Sequence, residues 1–286
     1  MTADPIWKGT ALDAETALAL LDWQREMGVD EAILDDPVDR FAESIRDISA
    51  QPPAAAAPAQ PDTLSLTVPQ APDALASRAA AMAARATTLA ELSEIQSDFE
   101  GLDIRRGARN FVFADGNPAA RVMIVGEAPG EDEDRLGRPF VGRAGQLLDR
   151  MFAAIGLARD SVDAEAALYI TNILPWRPPG NRRPEQAEID AMMPFVTRHV
   201  ELAAPDFVVL MGNTPCQAAL GRQGITRLRG QWTTAFGRPA LPMTHPAYLL
   251  RTPIAKREAW ADLLSLKARL NDPGLQDARI QDSAQP

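Results

Sequence analysis

From residue 121 to residue 270, short apolar runs alternate with longer stretches of helical periodicity, and this alternation constrains the fold more than any other feature of the chain. Four runs are short and bounded by turn residues, so they are expected as strands: 122–125 (VMIV) closed by Gly126, then 167–174, 207–211 (FVVLM) and 241–243. Residues 144–155, 185–203 and 256–270 read as helices between and after them. The alanine-rich stretch 74–99, free of proline, is expected as a helix leading in. Strands alternating with helices in this way indicate a parallel α/β domain.

The first quarter of the chain has a different composition. Residues 10–27 are expected to form an amphipathic helix stopped by Gly28, and 30–48 a second helical piece. Prolines and alanines then dominate 51–72, the makeup of a semi-extended linker. The expected organisation is an N-terminal helical module over 1–48, a linker over 49–73, an α/β domain over 74–270 and a polar tail over 271–286.

Charge follows the same division. The formal charge is −10, but residues 1–98 hold 17 acidic and 6 basic residues, whereas 99–286 hold 22 and 23. The second part is therefore near neutral and rich in arginine, which binds phosphate through a planar fork, so a nucleic-acid surface is compatible with it. No stretch approaches the roughly 20 apolar residues of a membrane span. The N-terminus lacks the basic and apolar order of a secretory signal, so a cytoplasmic protein without membrane contact is expected. A single cysteine, Cys216, supplies neither an intramolecular disulfide nor a thiolate cage for zinc or iron-sulfur. With only His199 and His245 beside it, hydrolytic chemistry must lean on carboxylates, amides and one histidine.

In open parallel sheets, ligands bind beyond the carboxyl ends of the strands. Three features fall there. The first is 126–134 (GEAPGEDED), either a cradle for a small planar polar ligand or a solvated acidic turn with weak affinity for a divalent ion; its carboxylates and lack of lysine make it a poor phosphate loop. The second is Asn172, whose amide either reads a donor and an acceptor on one edge of a pyrimidine or caps a turn. The third is 245–251 (HPAYLLR), which places His245 at a strand exit before apolar residues and an arginine, suited to a wedge and a phosphate contact. Phe140, in GRPFVGRAG, either stacks on a flat base or is an ordinary core residue. His199, inside a helical stretch, is read as a packed residue.

Taken in order, GEAPGEDED, GRPFVGRAGQLLD, YITNILPWRPPGNRRP, PDFVVLMG and HPAYLLR resemble the uracil-DNA glycosylase superfamily, specifically its type-4, iron-sulfur branch, over about 99–270. The expected fold is α/β: a three-layer αβα arrangement around a short, mostly parallel four-stranded sheet, with an N-terminal helical extension. The resemblance implies a DNA-repair enzyme that flips uracil out of single- or double-stranded DNA and hydrolyses its glycosidic bond. By motif, Gly126, Ala128, Pro129, Gly130, Phe140 and Asn172 would hold the base. His245 would stabilise charge on it, and Glu127 or Glu133 would orient water or support the sugar cation. Ala128 stands where the best-known branch has an aspartate. Leu249, Leu250 and Arg251 would act as wedge and clamp, with Arg143 and Arg177 as further phosphate contacts.

One departure is systematic. The four cluster cysteines of the branch would align with Phe99, Leu102, Trp176 and Met192, all apolar here, so no cofactor is expected and a hydrophobic plug takes the cluster's place. The N-terminal module lies outside the resemblance and is read as a packing or protein-partner element. The competing readings are a relative that binds damaged or single-stranded DNA without cutting, and a glycosylase for hypoxanthine or xanthine. A covalent trapping relative and an unrelated nucleotide enzyme are less favoured.

Overall fold

In the computed structural model of the chain, the described residues are 72–272 and the pairs Ile6–Trp7 (β1) and Thr10–Ala11 (β2). The chain divides into two units, Met1–Leu66 and Thr67–Pro286. In the first, β1 and β2 pair antiparallel, Ile6 opposite Ala11. The helix expected from residue 10 therefore does not begin there. The rest of that expectation, the helix over 30–48, most of the linker and the tail beyond 272 lie outside the described residues.

The second unit is built on a six-stranded sheet. Its four central strands are parallel, in the order β5 (Leu168–Asn172), β4 (Val122–Gly126), β6 (Phe207–Met211) and β8 (Arg238–Met243). Two short antiparallel strands extend it at the edges, β3 (Ala114–Gly116) beside β5 and β7 (Thr233–Ala235) beside β8. The four central strands match the sequence reading. The edges escaped it because three residues carry no measurable alternation.

Alternation within the central strands makes the layers. Met123, Val125, Tyr169, Val208 and Leu210 point into one core, while Val122, Ile124, Leu168, Ile170, Val209 and Met211 point into the other. The first core is covered by α1 (Pro72–Ala83), α2 (Leu89–Ser97) and α6 (Gln186–Ala203), the second by α5 (Arg143–Ala153) and α10 (Lys256–Leu270). Burying each Val, Leu, Ile, Phe or Met contributes about 1.5–3 kcal/mol, so the two cores dominate the driving force for this fold.

The remaining helices are α3 (Ile104–Gly107), α4 (Glu131–Leu136), α7 (Asn213–Leu220), α8 (Ile225–Leu228) and α9 (Pro246–Arg251). Two departures from expectation have clear causes. The stretch 74–99 is broken between α1 and α2, because the Thr88 hydroxyl accepts from Glu91 N at 3.2 Å while the Glu91 carboxylate accepts from Thr87 N at 2.7 Å, starting a new helix. The acidic run after Gly130 is a helix rather than a turn. Its four carboxylates occupy the first turn of α4, where the helix dipole favours negative charge, and Gly137 ends it at φ 69°.

Candidate active site

The strand ends converge as the open-sheet rule requires. Gly126 closes β4 directly opposite Asn172, which closes β5. A methyl group on Gly126 would collide with Asn172 Oδ1 and with Cε2 and Cζ of Phe140, so glycine here lets an amide and an aromatic ring approach the same point. From β8 comes His245, whose ring lies 5.4 Å from that of Phe140 at 30°. Phe140, Asn172 and His245 thus share one niche. Asn172 is 6% exposed, and its Oδ1 is buried without a hydrogen-bond partner among the described residues. Such an orphan acceptor costs about 1–3 kcal/mol, a cost that a ligand N–H would remove.

His245 caps α9, and its Nδ1 accepts from Ala247 N at 3.2 Å. That bond assigns the proton of the neutral ring to Nε2. Burial is the main reason its pKa falls to about 4; the positive charge of Arg251 acts in the same direction, against a smaller opposing pull from Glu133. At neutral pH the ring is an uncharged donor. Gly212, at φ 105° after β6, gives the histidine its room: a Cβ there would stand 3.3 Å from His245 Cβ.

The carboxylates separate into two roles. Glu127 is half-buried and accepts from the Thr214 hydroxyl at 2.5 Å. Glu133 instead spends both oxygens on backbone: Oε2 accepts from Gly130 N at 3.1 Å, and Oε1 from Val141 N and Gly142 N, each at 2.9 Å. Glu133 thereby holds the loop beyond Phe140. Asp134, read as part of a solvated acidic turn, is 3% exposed and accepts from Arg109 N and Asn110 N at 2.8 and 3.1 Å. Among the described residues, no group of three His, Cys, Asp or Glu side chains is arranged to hold a metal ion.

The wedge assignment needs correction at one residue. Leu249 is fully buried against Leu147 and Ala259, and Leu250 is half-buried beside them. The cause is helical geometry: in α9 each residue turns about 100°, so Pro246 and Leu249 face inward while Tyr248, 36% exposed, faces out. Arg251 and Arg143 are exposed. Arg177 donates from Nε to Asn181 Oδ1 at 2.8 Å and lies 3.7 Å from Glu131, so it is partly engaged already.

A sequence profile described as the uracil DNA glycosylase superfamily matches residues 113–264, which contain the whole niche. The chain belongs to the uracil DNA glycosylase superfamily. The type-4 uracil-DNA glycosylase of Thermotoga maritima is 40% identical over 147 residues, covering 50% of this chain and 72% of the relative. That of Sulfurisphaera tokodaii is 40% identical over 154 residues (50% and 67%), and that of Saccharolobus solfataricus 36% over 173 (57% and 77%).

Within this superfamily member, the four positions that the type-4 resemblance assigns to cluster cysteines do not fit an iron-sulfur cluster. Phe99, Leu102, Trp176 and Met192 are buried in the first core and offer no thiolate. Phe99 meets Phe195 edge to face at 5.3 Å beneath the Arg78 guanidinium, and Trp176 meets Phe111 at 5.5 Å. The Met192 sulfur accepts from Gln96 Nε2 at 3.7 Å. Cys216 is buried, which pushes its thiol up to about 12.

Sequence reasoning missed Thr214, Tyr248 and Arg159. For Thr214 a signal existed, since it directly follows β6 and the rule about strand ends applies to it as to the others. Tyr248 lies in HPAYLLR beside the leucines, and only the helical turn of α9 shows that it faces out. Arg159 carried no local signal.

Proposed function

We propose that this chain excises uracil from DNA by hydrolysing its N-glycosidic bond, leaving an abasic site. The observation that carries the reading is the unpaired, buried Asn172 Oδ1 in a niche walled by an aromatic ring and a neutral imidazole. Uracil complements that set. Its N3–H satisfies Oδ1, its O4 accepts from the amide nitrogen, and its flat face stacks on Phe140. A base inside a duplex is out of reach, so it is flipped into the niche.

As the C1′–N1 bond breaks, its electron pair leaves with the base and positive charge grows on the sugar. His245 Nε2–H donates to uracil O2, where the negative charge accumulates, and no proton need change hands. Water then adds to C1′ and loses a proton, which neutralises the released uracil anion. Glu127, held by Thr214, is the carboxylate left to orient that water or face the sugar cation, since Glu133 is committed to backbone and Ala128 offers no base. The test is incubation with a labelled single-uracil oligonucleotide followed by alkali, beside matched strands carrying thymine or hypoxanthine. Cleavage of the uracil strand alone supports the reading, whereas cleavage of the hypoxanthine strand alone replaces the base, and binding without cleavage replaces the reaction.

Arg251 is the proposed phosphate contact beside the flipped nucleotide, with Tyr248 and the exposed part of Leu250 next to the stack. Arg251→Ala is expected to weaken DNA binding on every sequence alike and to lower the salt dependence of binding by about one unit of slope. Titrations of the two proteins at several salt concentrations check this, and equal slopes would remove Arg251 from the interface. We also propose that the protein works without the cluster of its type-4 relatives. Purified protein is expected to be colourless and free of stoichiometric iron, as read by absorbance and metal analysis.

A further inference from the structure

Phe140 sits in a conformation that its own sequence does not favour. Its φ is 53°, in the left-handed region that non-glycine residues rarely occupy, and its carbonyl presses on the first turn of α5 so closely that a Cβ on Gly145 would overlap it. Something must hold it. On one side are the two backbone N–H groups that Glu133 accepts from. On the other is Arg159, a residue outside the niche and 19 positions away in sequence.

The Arg159 side chain is 10% exposed. Nη2 donates to Phe140 O at 2.8 Å and Nη1 to Pro139 O at 2.9 Å, so one guanidinium grips two successive carbonyls. Its other bonds fix it in turn: Nε donates to Asp149 Oδ1 and Nη1 to Asp115 Oδ2, each at 2.8 Å. Asp115, on edge strand β3, is also bonded by Arg138 at 3.0 and 3.2 Å. Burial alone would raise the Asp115 pKa, but the bonds from Arg138 and Arg159 outweigh it and keep the carboxyl below its ordinary value. Only a planar, five-donor fork meets this set of acceptors, and an ammonium on a flexible stem does not.

We infer that Arg159, seated on Asp115 and Asp149, is a positioning residue that holds Phe140 in its strained conformation and thereby sets the ring plane on which the flipped base stacks. The inference rests on the proposed function, but its core concerns the Phe140 loop alone. Arg159 touches no base: it acts through two carbonyls, with Glu133 completing the grip on the next two amides. Displacing the ring by about 1 Å is enough to cost a factor of about 100 in a reaction that depends on alignment.

The test is a kinetic cycle on a single-stranded uracil oligonucleotide with Arg159→Lys, Phe140→Ala and the double variant, accompanied by thermal unfolding and by amide exchange at Val141 and Gly142. Lysine keeps the charge beside Asp115, so the variant is expected to fold; Arg159→Met repeats the measurement without it. In the parent, Arg159→Lys is expected to lower kcat/KM by about 10- to 100-fold and to speed exchange at the two amides. In the Phe140→Ala background the same substitution is expected to change kcat/KM by less than about twofold, because no ring remains to misplace. An equal loss in both backgrounds, or parent-like kinetics of Arg159→Lys, overturns the inference. If the parent releases no uracil, the functional reading fails separately, and the exchange rates decide: unchanged protection of Val141 and Gly142 sinks the positioning role.

Discussion

His245→Ala is expected to lower kcat for uracil release by a factor of about 100 to 1,000 while leaving KM within a few-fold. Removing one preorganised donor aimed at developing negative charge costs about 2.7–4 kcal/mol of transition-state stabilisation, and ground-state uracil asks much less of that donor. Ala at the cap of α9 also loses the bond from Ala247 N and the ring contact with Phe140, so thermal unfolding of the variant accompanies the kinetics. His245→Gln separates the roles: a glutamine amide that reaches O2 restores part of the rate without restoring a titratable group. Because burial and Arg251 hold the imidazole pKa at about 4, the parent kcat is expected to show no histidine titration from pH 8 down to about 5. Single-turnover rates across that range check it, and an inflection near pH 6.5 in the parent, absent from His245→Gln, contradicts the neutral-donor account.

The second large effect concerns stability rather than rate. His199 is buried beneath Phe113, their rings stacked at 4.3 Å, with Nε2 2.9 Å from the Tyr169 hydroxyl. Burial lowers its pKa to about 3 from an ordinary 6.5. Above pH 6.5 the ring is neutral in both folded and unfolded chains and contributes no pH dependence. Below it the unfolded chain binds a proton that the folded one refuses, so stability is lost as pH falls, at about 1.4 kcal/mol per unit. His245 acts in the same direction down to about pH 4. Asp115 and Glu188, whose pKa values are lowered by ion pairs, lose their contributions only as pH falls below the ordinary carboxylate values, and Asp262, raised by burial, acts in the opposite sense, so a loss between pH 6 and 5 comes from the histidines.

Denaturant unfolding at pH 7.5, 6 and 5 is expected to show the loss. The pair Tyr169→Phe with His199→Phe, which removes both hydrogen-bonding partners together, is expected to flatten the slope by one histidine's share. A parent slope already flat over this interval would refute the burial of an uncharged His199.

These effects trace to residues of very different legibility. The four central strands could be read from run length and bounding turns, and with them the placing of Asn172 and His245 at strand ends. Phe140 was visible as a motif residue, but not its strained backbone. In sequence an acidic run fits a ligand cradle or a solvated turn, whereas four carboxylates at a helix start are a dipole-matched first turn. Sequence order does not say which face of α9 Leu249 joins, and only the fold turns it inward. Glu133 and Arg159 were the hardest. Their partners include backbone groups 3 to 20 positions away, and a backbone amide or carbonyl leaves no trace in the sequence.

The amino-acid order alone fixed which groups exist: one thiol, two imidazoles, an arginine-rich second part and apolar residues in place of four cysteines. It also marked the four central strands as short apolar runs between turns, but neither their order nor the two edge strands. Tertiary structure decided which of the available polar groups are free. The unpaired Asn172 oxygen, the uncharged His245 and the committed Glu133 differ only in what the folded backbone brings beside them, and desolvation and long-range hydrogen bonds exist only once the chain has closed.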